Sequence, residues 1–221
     1  MDIDIKKLKS LLPETPGIMG RDEYINTAVV VPLVKINSEW HLLFEKRSDE
    51  INQGGEICFP GGKFDPGKDE DLVSTAVRET VEELGVEKDR IEIVGRLDTY
   101  IAALGATIEP VIALLDIGRI GCLNYNKKEV ESIFTIPVDF FKENPYETYK
   151  AVLKVHPEIE TPDGNTKVLF PSRELGLPEK YHKPWGGHMQ NIYVYKTGYG
   201  SIWGITARLI KDLLEYIDNL W

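Results

Sequence analysis

Cysteine is scarce in this sequence of 221 residues, and the two that are present, Cys58 and Cys122, lie far apart. Their spacing matches no cysteine-ligated metal site, and so small a number excludes a framework of several disulfides. One disulfide between them is arithmetically possible. Two free thiols in a reducing compartment are the better expectation, and this favours a cytoplasmic protein.

Long apolar stretches are also missing. The longest apolar runs, such as residues 28–34 and 111–115, are far shorter than the roughly 20 residues that a membrane-spanning helix needs. The beginning of the sequence is amphipathic and carries acidic residues, so no signal peptide is expected. These observations predict a protein without a membrane partner.

Basic residues are outnumbered, with 26 Lys and Arg against 36 Asp and Glu, which gives a formal net charge of −10. Such a surface repels a phosphate backbone, and no Lys/Arg-rich run offsets it. Nucleic acid is therefore not an expected partner. A small anionic substrate is compatible with this charge where metal ions and local basic residues reverse the field.

The sequence does contain a clear alternation of β-branched and amphipathic segments. Asn37 and Ser38 predict the turn of a hairpin. With neither a repeat nor a linker, the order predicts one α/β domain over residues 1–221, with an N-terminal extension at 1–22 and a loop-rich insertion at 146–190. Helices are predicted over 3–12, 69–84, 137–142 and 205–217, and strands over 27–36, 41–45, 91–95, 97–101, 108–115 and 129–134.

The predicted helix at 69–84 gathers acidic side chains on one face. At about 100° per residue, Glu79, Glu82 and Glu83 lie on one side, while Val77 and Leu84 lie on the opposite, buried side. Three carboxylates within one turn repel one another unless a positive charge neutralises them. Magnesium and manganese prefer carboxylate oxygen, so this pattern predicts a Mg²⁺ or Mn²⁺ site.

An acidic helix face is, by itself, most often a solvated surface. The flanking glycines change that interpretation, because an exposed helix does not require them at fixed spacing. The pattern resembles the motif of the Nudix hydrolases, with two departures: Phe64 stands where the motif has its first glycine, so that Gly62 matches through a loop two residues longer, and Thr80 replaces an aliphatic residue. The residues in register are Glu70, Arg78, Glu79, Glu82, Glu83, Gly85 and Val86.

The resemblance implies an α/β/α sandwich with a mixed β-sheet, in which water attacks one phosphorus of a diphosphate. Divalent cations would neutralise charge on the phosphate oxygens, with Arg78 orienting a carboxylate. Further residues follow from the motif as expectations. The metal ligands would be Glu79, Glu82, Glu83 and the backbone of Gly62. The catalytic residues would be Glu79, Glu82 and Arg78. An extra base or ligand outside the motif would be Glu129 or Glu131.

The segment before the motif resembles the coenzyme A pyrophosphatase subgroup of this family. Arg47-Ser48 and Phe59-Pro60-Gly61-Gly62 fit, as does 202–208, but Asn52 replaces an arginine. The resemblance implies cleavage of coenzyme A or its derivatives, with Lys46 or Arg47 reading the ribose 3′-phosphate and Phe59 contacting substrate.

Three alternatives remain open at this point. Lys46 and Arg47 are equally compatible with an ordinary basic end of a strand. The substrate is alternatively ADP-ribose or another nucleoside-diphosphate sugar. A non-catalytic ligand sensor is the third interpretation, although such proteins typically lack motif glutamates. A homodimer is compatible with the sequence.

Overall fold

The computed structural model describes residues 3–103 and 105–220. The predicted extension and domain bounds also include residues 1, 2, 104 and 221, which lie outside the described residues. The helices are α1 (Ile5–Leu11), α2 (Leu72–Leu84), α3 (Val138–Glu143) and α4 (Gly204–Asp218). The strands are β1 (Ile25–Ile36), β2 (Glu39–Arg47), β3 (Ile57–Cys58), β4 (Gly61–Lys63), β5 (Ile91–Arg96), β6 (Tyr100–Ala102), β7 (Ala106–Leu115), β8 (Val130–Pro137), β9 (Glu147–Val155), β10 (Glu158–Glu160), β11 (Thr166–Val168), β12 (Trp185–Thr197) and β13 (Gly200–Trp203).

The main sheet is mixed and has β1 at its centre. Its strand order is β3-β2-β1-β7-β5, while β4, β6 and β8 pair with β1, β7 and β2 respectively. β1 runs parallel to β7 and antiparallel to β2 and β4. The predicted hairpin is confirmed, because Asn37 and Ser38 adopt positive φ angles of 49° and 72° in the tight turn between β1 and β2.

Helices cover both faces of this sheet. Ala76 of α2 packs with Ala28 and Val111 of β1 and β7. On the other face, Ile210 of α4 belongs to the larger core cluster that contains Phe44 of β2. Strand side chains alternate between faces, so β1 contributes to both cores. The predicted α/β/α sandwich with a mixed sheet is therefore confirmed.

Helix α2 begins at Leu72, three residues later than predicted. Asp71 caps it, since its carboxylate accepts the Ser74 N–H at 2.7 Å and the Ser74 hydroxyl accepts the Asp71 N–H at 2.9 Å. The helix ends at Leu84 as predicted, where Gly85 has a φ of 68°. The predicted strand at 97–101 is wrong in its bounds, because the strand observed here, β6, spans residues 100–102.

Residues 146–190 hold strands joined by long loops, as predicted. β9 pairs with β12, which continues to residue 197, and β13 completes this second sheet. β10 and β11 form a separate hairpin. None of the helices in the described ranges is long and apolar enough to cross a membrane.

Candidate functional site

Two glycines bring the backbone of β4 against the first strand and the carboxylates of α2. Gly61 has a φ of 157°, and a Cβ there would lie 2.4 Å from the Ala28 carbonyl oxygen. A Cβ on Gly62 would lie 2.4 Å from the Glu79 carboxyl carbon. A Cβ at Gly61 would clash with backbone, whereas a Cβ at Gly62 would push the Glu79 carboxylate aside, so glycine at both positions allows this close approach.

The three acids of the motif have different surroundings. The Glu82 side chain is 51% exposed, whereas the Glu79 side chain is largely buried. Glu83 is only 4% exposed and accepts the Gly61 N–H at 2.8 Å. Glu83 therefore differs from Glu82, because its carboxylate is buried and accepts a backbone N–H.

Arg78 ties the motif loop to the acidic face of α2. Its Nη1 donates to Glu79 Oε1 at 2.8 Å and to Glu82 Oε2 at 3.3 Å. Its Nη2 donates to the Lys63 carbonyl at 3.3 Å. The guanidinium is thus engaged on protein groups, which favours its predicted orienting role over a direct catalytic one.

Asp69 is the main partner of Arg78, and the sequence reasoning did not find it. Arg78 Nε and Nη2 donate to the two Asp69 oxygens at 2.7 and 2.9 Å, a bidentate pair. These bonds, together with donors from Asp65 N and Thr75 Oγ1, hold the pKa of Asp69 well below its usual range. Glu70, which matches the motif in register, is exposed. The available signal was the longer loop, because with extra residues the motif no longer fixes which acid before the helix faces Arg78.

The same loop folds into a compact turn. The Asp65 carbonyl accepts the N–H groups of Lys68 and Asp69 at 3.0 and 2.8 Å. The Asp65 carboxylate accepts the Gly67 N–H at 2.9 Å. Residues 66–68 are exposed. The extra loop length is thus taken up at the surface, away from the carboxylates.

Glu45 is a second acid that the sequence reasoning missed. It lies on β2, is 1% exposed, and accepts the Cys58 thiol at 3.4 Å through Oε1. Burial raises the pKa of Glu45 above its usual range. Burial also raises the pKa of Glu83, and the charge on Glu45 adds to that rise. The sequence feature that could have indicated a buried acid is the place of Glu45 directly after the apolar run Leu42-Leu43-Phe44.

The two predicted extra acids are placed differently. Glu131 pairs with Lys46, Oε2 to Nζ at 2.8 Å, at the protein surface. Glu129 lies in the turn before β8, where its carbonyl accepts the Ser48 N–H at 2.8 Å. Burial raises the pKa of Glu79, and the charge on Glu129 contributes to that rise. Of the two, Glu129 is therefore the acid whose charge acts on a motif carboxylate.

The predicted substrate-binding residues are only partly available. Lys46 faces Glu131, and Arg47 Nε donates to the Asn52 carbonyl at 3.2 Å. Phe59 is buried and stacks on Phe44, with ring centroids 5.0 Å apart. The expectation that Phe59 contacts substrate is wrong, because its ring belongs to the hydrophobic core.

A divalent cation fits the chemistry of this site. Within residues 3–103 and 105–220, no three His, Cys, Asp or Glu side chains are already grouped as a metal site. The available donors are hard carboxylate oxygens, which suit Mg²⁺ and Mn²⁺. The buried Glu45 Oε2 has no hydrogen-bond partner among these residues, and Gly62 allows the Glu79 carboxylate to lie directly against the β4 backbone.

A cleft of about 690 Å³ lies beside β6, β12 and α4. Its lining includes Tyr100, His188 and Arg208, and Gln190 donates to the Tyr100 hydroxyl at 3.0 Å. Its volume is in the range of small-molecule sites. The predicted insertion at 146–190 thus contributes part of a cleft.

Comparison with known proteins agrees with this architecture. The profile of the NUDIX domain matches residues 26–147. Nudix hydrolase 3 of Caenorhabditis elegans is 36% identical over 97% of this chain and 83% of its own length. The peroxisomal coenzyme A diphosphatase NUDT7 of Mus musculus is 38% identical over 52% of this chain and 48% of its own length. A solved MutT/nudix family protein from Enterococcus faecalis is 13% identical, with a TM-score of 0.47 over 98% of this chain and 70% of that one. The chain therefore belongs to the Nudix family and is a hydrolase that acts on pyrophosphate bonds.

Proposed function

We propose that the chain hydrolyses the central diphosphate of coenzyme A or its derivatives, releasing adenosine 3′,5′-bisphosphate and 4′-phosphopantetheine. Nudix hydrolases act on small-molecule nucleotide substrates and generally use divalent metal ions. The observation that best supports metal-dependent hydrolysis at this site is the close approach of Gly62 to Glu79. The choice of coenzyme A is supported by residues 59–62 and by the partial similarity to the mouse coenzyme A diphosphatase.

The residues of the site have separate roles in this reaction. Glu79, Glu82 and Glu83 would hold Mg²⁺ or Mn²⁺ together with the Gly62 backbone. When bound, the cation neutralises charge on the diphosphate and polarises it. Arg78 fixes the Glu79 carboxylate through the bond at 2.8 Å. Glu129, whose charge acts on Glu79, is the proposed base that takes a proton from the attacking water.

ADP-ribose or another nucleoside-diphosphate sugar is the second candidate substrate. One observation favours it: Lys46, a proposed reader of the 3′-phosphate, is already paired with Glu131. A phosphate must compete with that carboxylate for the ammonium group. Asn52 is exposed and supplies no positive charge where the subgroup has an arginine.

Product analysis decides between these substrates. The purified chain is incubated with coenzyme A, ADP-ribose or NADH, each with Mg²⁺ or Mn²⁺, and the Glu79→Gln variant serves as the inactive control. Fastest turnover of coenzyme A, with the two products named above, supports the proposal. Faster cleavage of ADP-ribose retires coenzyme A but keeps the diphosphatase chemistry. Absence of turnover in every arm favours the ligand-sensor interpretation.

The homodimer and the cytoplasmic location remain predictions. Light scattering coupled to gel filtration measures the mass of the protein in solution and tests the first. Fractionation of cells, followed by an activity assay of each fraction, tests the second.

A further inference from the structure

We propose that Glu45 is a further ligand of the divalent cation, reaching it from β2 rather than from the helix that carries the motif. The inference rests on the proposed metal-dependent function and adds to it a residue outside the Nudix motif. It assigns a role to a buried acid that the fold itself does not require.

The position of Glu45 is unusual for a charged residue. Leu42, Leu43 and Phe44 precede it on β2, and all three are fully buried. Glu45 is itself 1% exposed, so water does not solvate its carboxylate. A buried carboxylate without a compensating partner is strongly disfavoured.

The protein groups around Glu45 compensate little of that charge. Its Oε1 accepts only the Cys58 thiol, which is a weak donor. Its Oε2 has no partner within the described ranges 3–103 and 105–220. The charge of Arg47 favours the ionised form of Glu45, but the Arg47 Nε donates to the Asn52 carbonyl, and the neighbouring Lys46 donates to Glu131. One buried carboxylate oxygen is therefore left with its full capacity to bind a cation.

This oxygen belongs to the same site as the motif acids. Glu45 is bound to Cys58 and Glu83 to Gly61, and these two partners are only three residues apart in the segment from β3 to β4. The charge on Glu45 also adds to the burial that raises the pKa of Glu83. Two acids from different elements, β2 and α2, thus contact the same short segment between Cys58 and Gly61. A divalent cation would stabilise both, because it prefers several carboxylate oxygens at once.

Manganese binding tests this role without relying on turnover. Calorimetry with Mn²⁺ alone, in the absence of substrate, measures the affinity of the parent chain and of Glu45→Gln, which keeps the shape and removes the charge. We expect the affinity to fall at least about 10-fold. We also expect the rise in Tm on adding Mn²⁺ to shrink, since stabilisation by a ligand follows its affinity. Glu87→Gln is the matched control, because the Glu87 side chain is 73% exposed just beyond α2 and has no role in the proposed site.

Three outcomes overturn the inference. If Glu45→Gln binds Mn²⁺ as tightly as Glu87→Gln while Glu79→Gln does not, Glu45 is a structural acid and the motif site stands alone. If the parent chain binds no Mn²⁺, the proposed metal dependence falls together with this inference. Should Glu45→Gln fail to fold, Glu45→Asp keeps the charge and shortens the reach. Weaker Mn²⁺ binding by that variant supports the role, and unchanged binding contradicts it.

Discussion

Asp69 and Arg78 form a bidentate ion pair, with Nε to Oδ1 at 2.7 Å and Nη2 to Oδ2 at 2.9 Å. The pair joins the loop before α2 to the face of the helix that carries Glu79. We expect Asp69→Asn to destabilise the protein by about 3 kcal/mol, because it leaves a largely buried guanidinium without its main partner. Glu70→Gln, one residue further on and exposed, should change stability by less than about 0.5 kcal/mol. Urea unfolding measures both.

The Asp69–Arg78 pair also determines how this stabilisation depends on pH. The folded-state pKa of Asp69 is lowered below the unfolded value of about 4. The stabilisation is therefore complete above that pH and is lost as the pH falls through the folded-state pKa. The stability difference between the parent and Asp69→Asn should persist down to about pH 4 and shrink in stronger acid. A difference that already vanishes near neutral pH would contradict the ion pair.

Glu79 carries the second prediction. Glu79→Gln should lower kcat at least roughly 100-fold, because it removes a charge that the cation requires while keeping the shape. Its Tm without metal should stay near that of the parent. Glu87→Gln is the control, since the Glu87 side chain is 73% exposed just beyond the helix. Near-normal turnover of Glu79→Gln would remove Glu79 from the metal site.

Gly62→Ala should disturb the position of Glu79 rather than the fold. The new Cβ meets the end of a flexible side chain at 2.4 Å, so the carboxylate must move aside. A displacement of that kind should cost about 10- to 100-fold in kcat/KM. Gly95→Ala provides the comparison, because a Cβ at Gly95 has nothing within 4 Å. If both variants turn over substrate equally, the close approach has no functional role.

Val77 tests which face of α2 is buried. Val77 is 9% exposed, so Val77→Asp should destabilise the protein by several kcal/mol, about 3 or more, through an unpaired buried charge. Val94→Asp makes the same chemical change on β5 at a side chain that is 58% exposed, and its Tm should stay close to that of the parent. Thermal unfolding of the two variants side by side is the measurement. Equal Tm values would reverse the assignment of faces.

Lys46 tests the reading of the ribose 3′-phosphate. If Lys46 leaves Glu131 to bind that phosphate, Lys46→Ala should reduce the preference for coenzyme A over its 3′-dephospho form by roughly 10-fold or more. The ratio of the two kcat/KM values measures this preference. Lys35→Ala, at the far end of β1, should leave the ratio unchanged. A ratio that Lys46→Ala leaves at the parent value would assign Lys46 to its surface pair with Glu131 alone.

The parts of the fold that local patterns determine were predictable. The hairpin follows from β-branched runs around Asn37-Ser38, and the end of α2 from Gly85. These features depend on neighbouring residues, whose spacing is visible in the sequence. The motif glutamates were found for the same reason, because their spacing places them on one face of one helix.

Features that depend on pairing between distant segments were not predictable. Glu45 becomes buried because β2 pairs with both β3 and β8. Phe59 enters the core because Phe44 of β2 stacks on it. Asp69 is the partner of Arg78 because the turn at Asp65 sets which carboxylate points inward. In each case the neighbour that decides the role is far away in sequence or is set by loop geometry.

The turn at residues 65–68 has a consequence for how this chain can vary. β4 fixes the loop at one end through its pairing with β1, and Asp69 fixes it at the other through Arg78. Residues 66–68, between these two fixed points, are exposed and lie outside the catalytic site. We therefore expect that a short peptide inserted after Gly67 leaves kcat/KM close to the parent value. The loop should thus tolerate an insertion, while β4 and α2 on either side of it keep their positions.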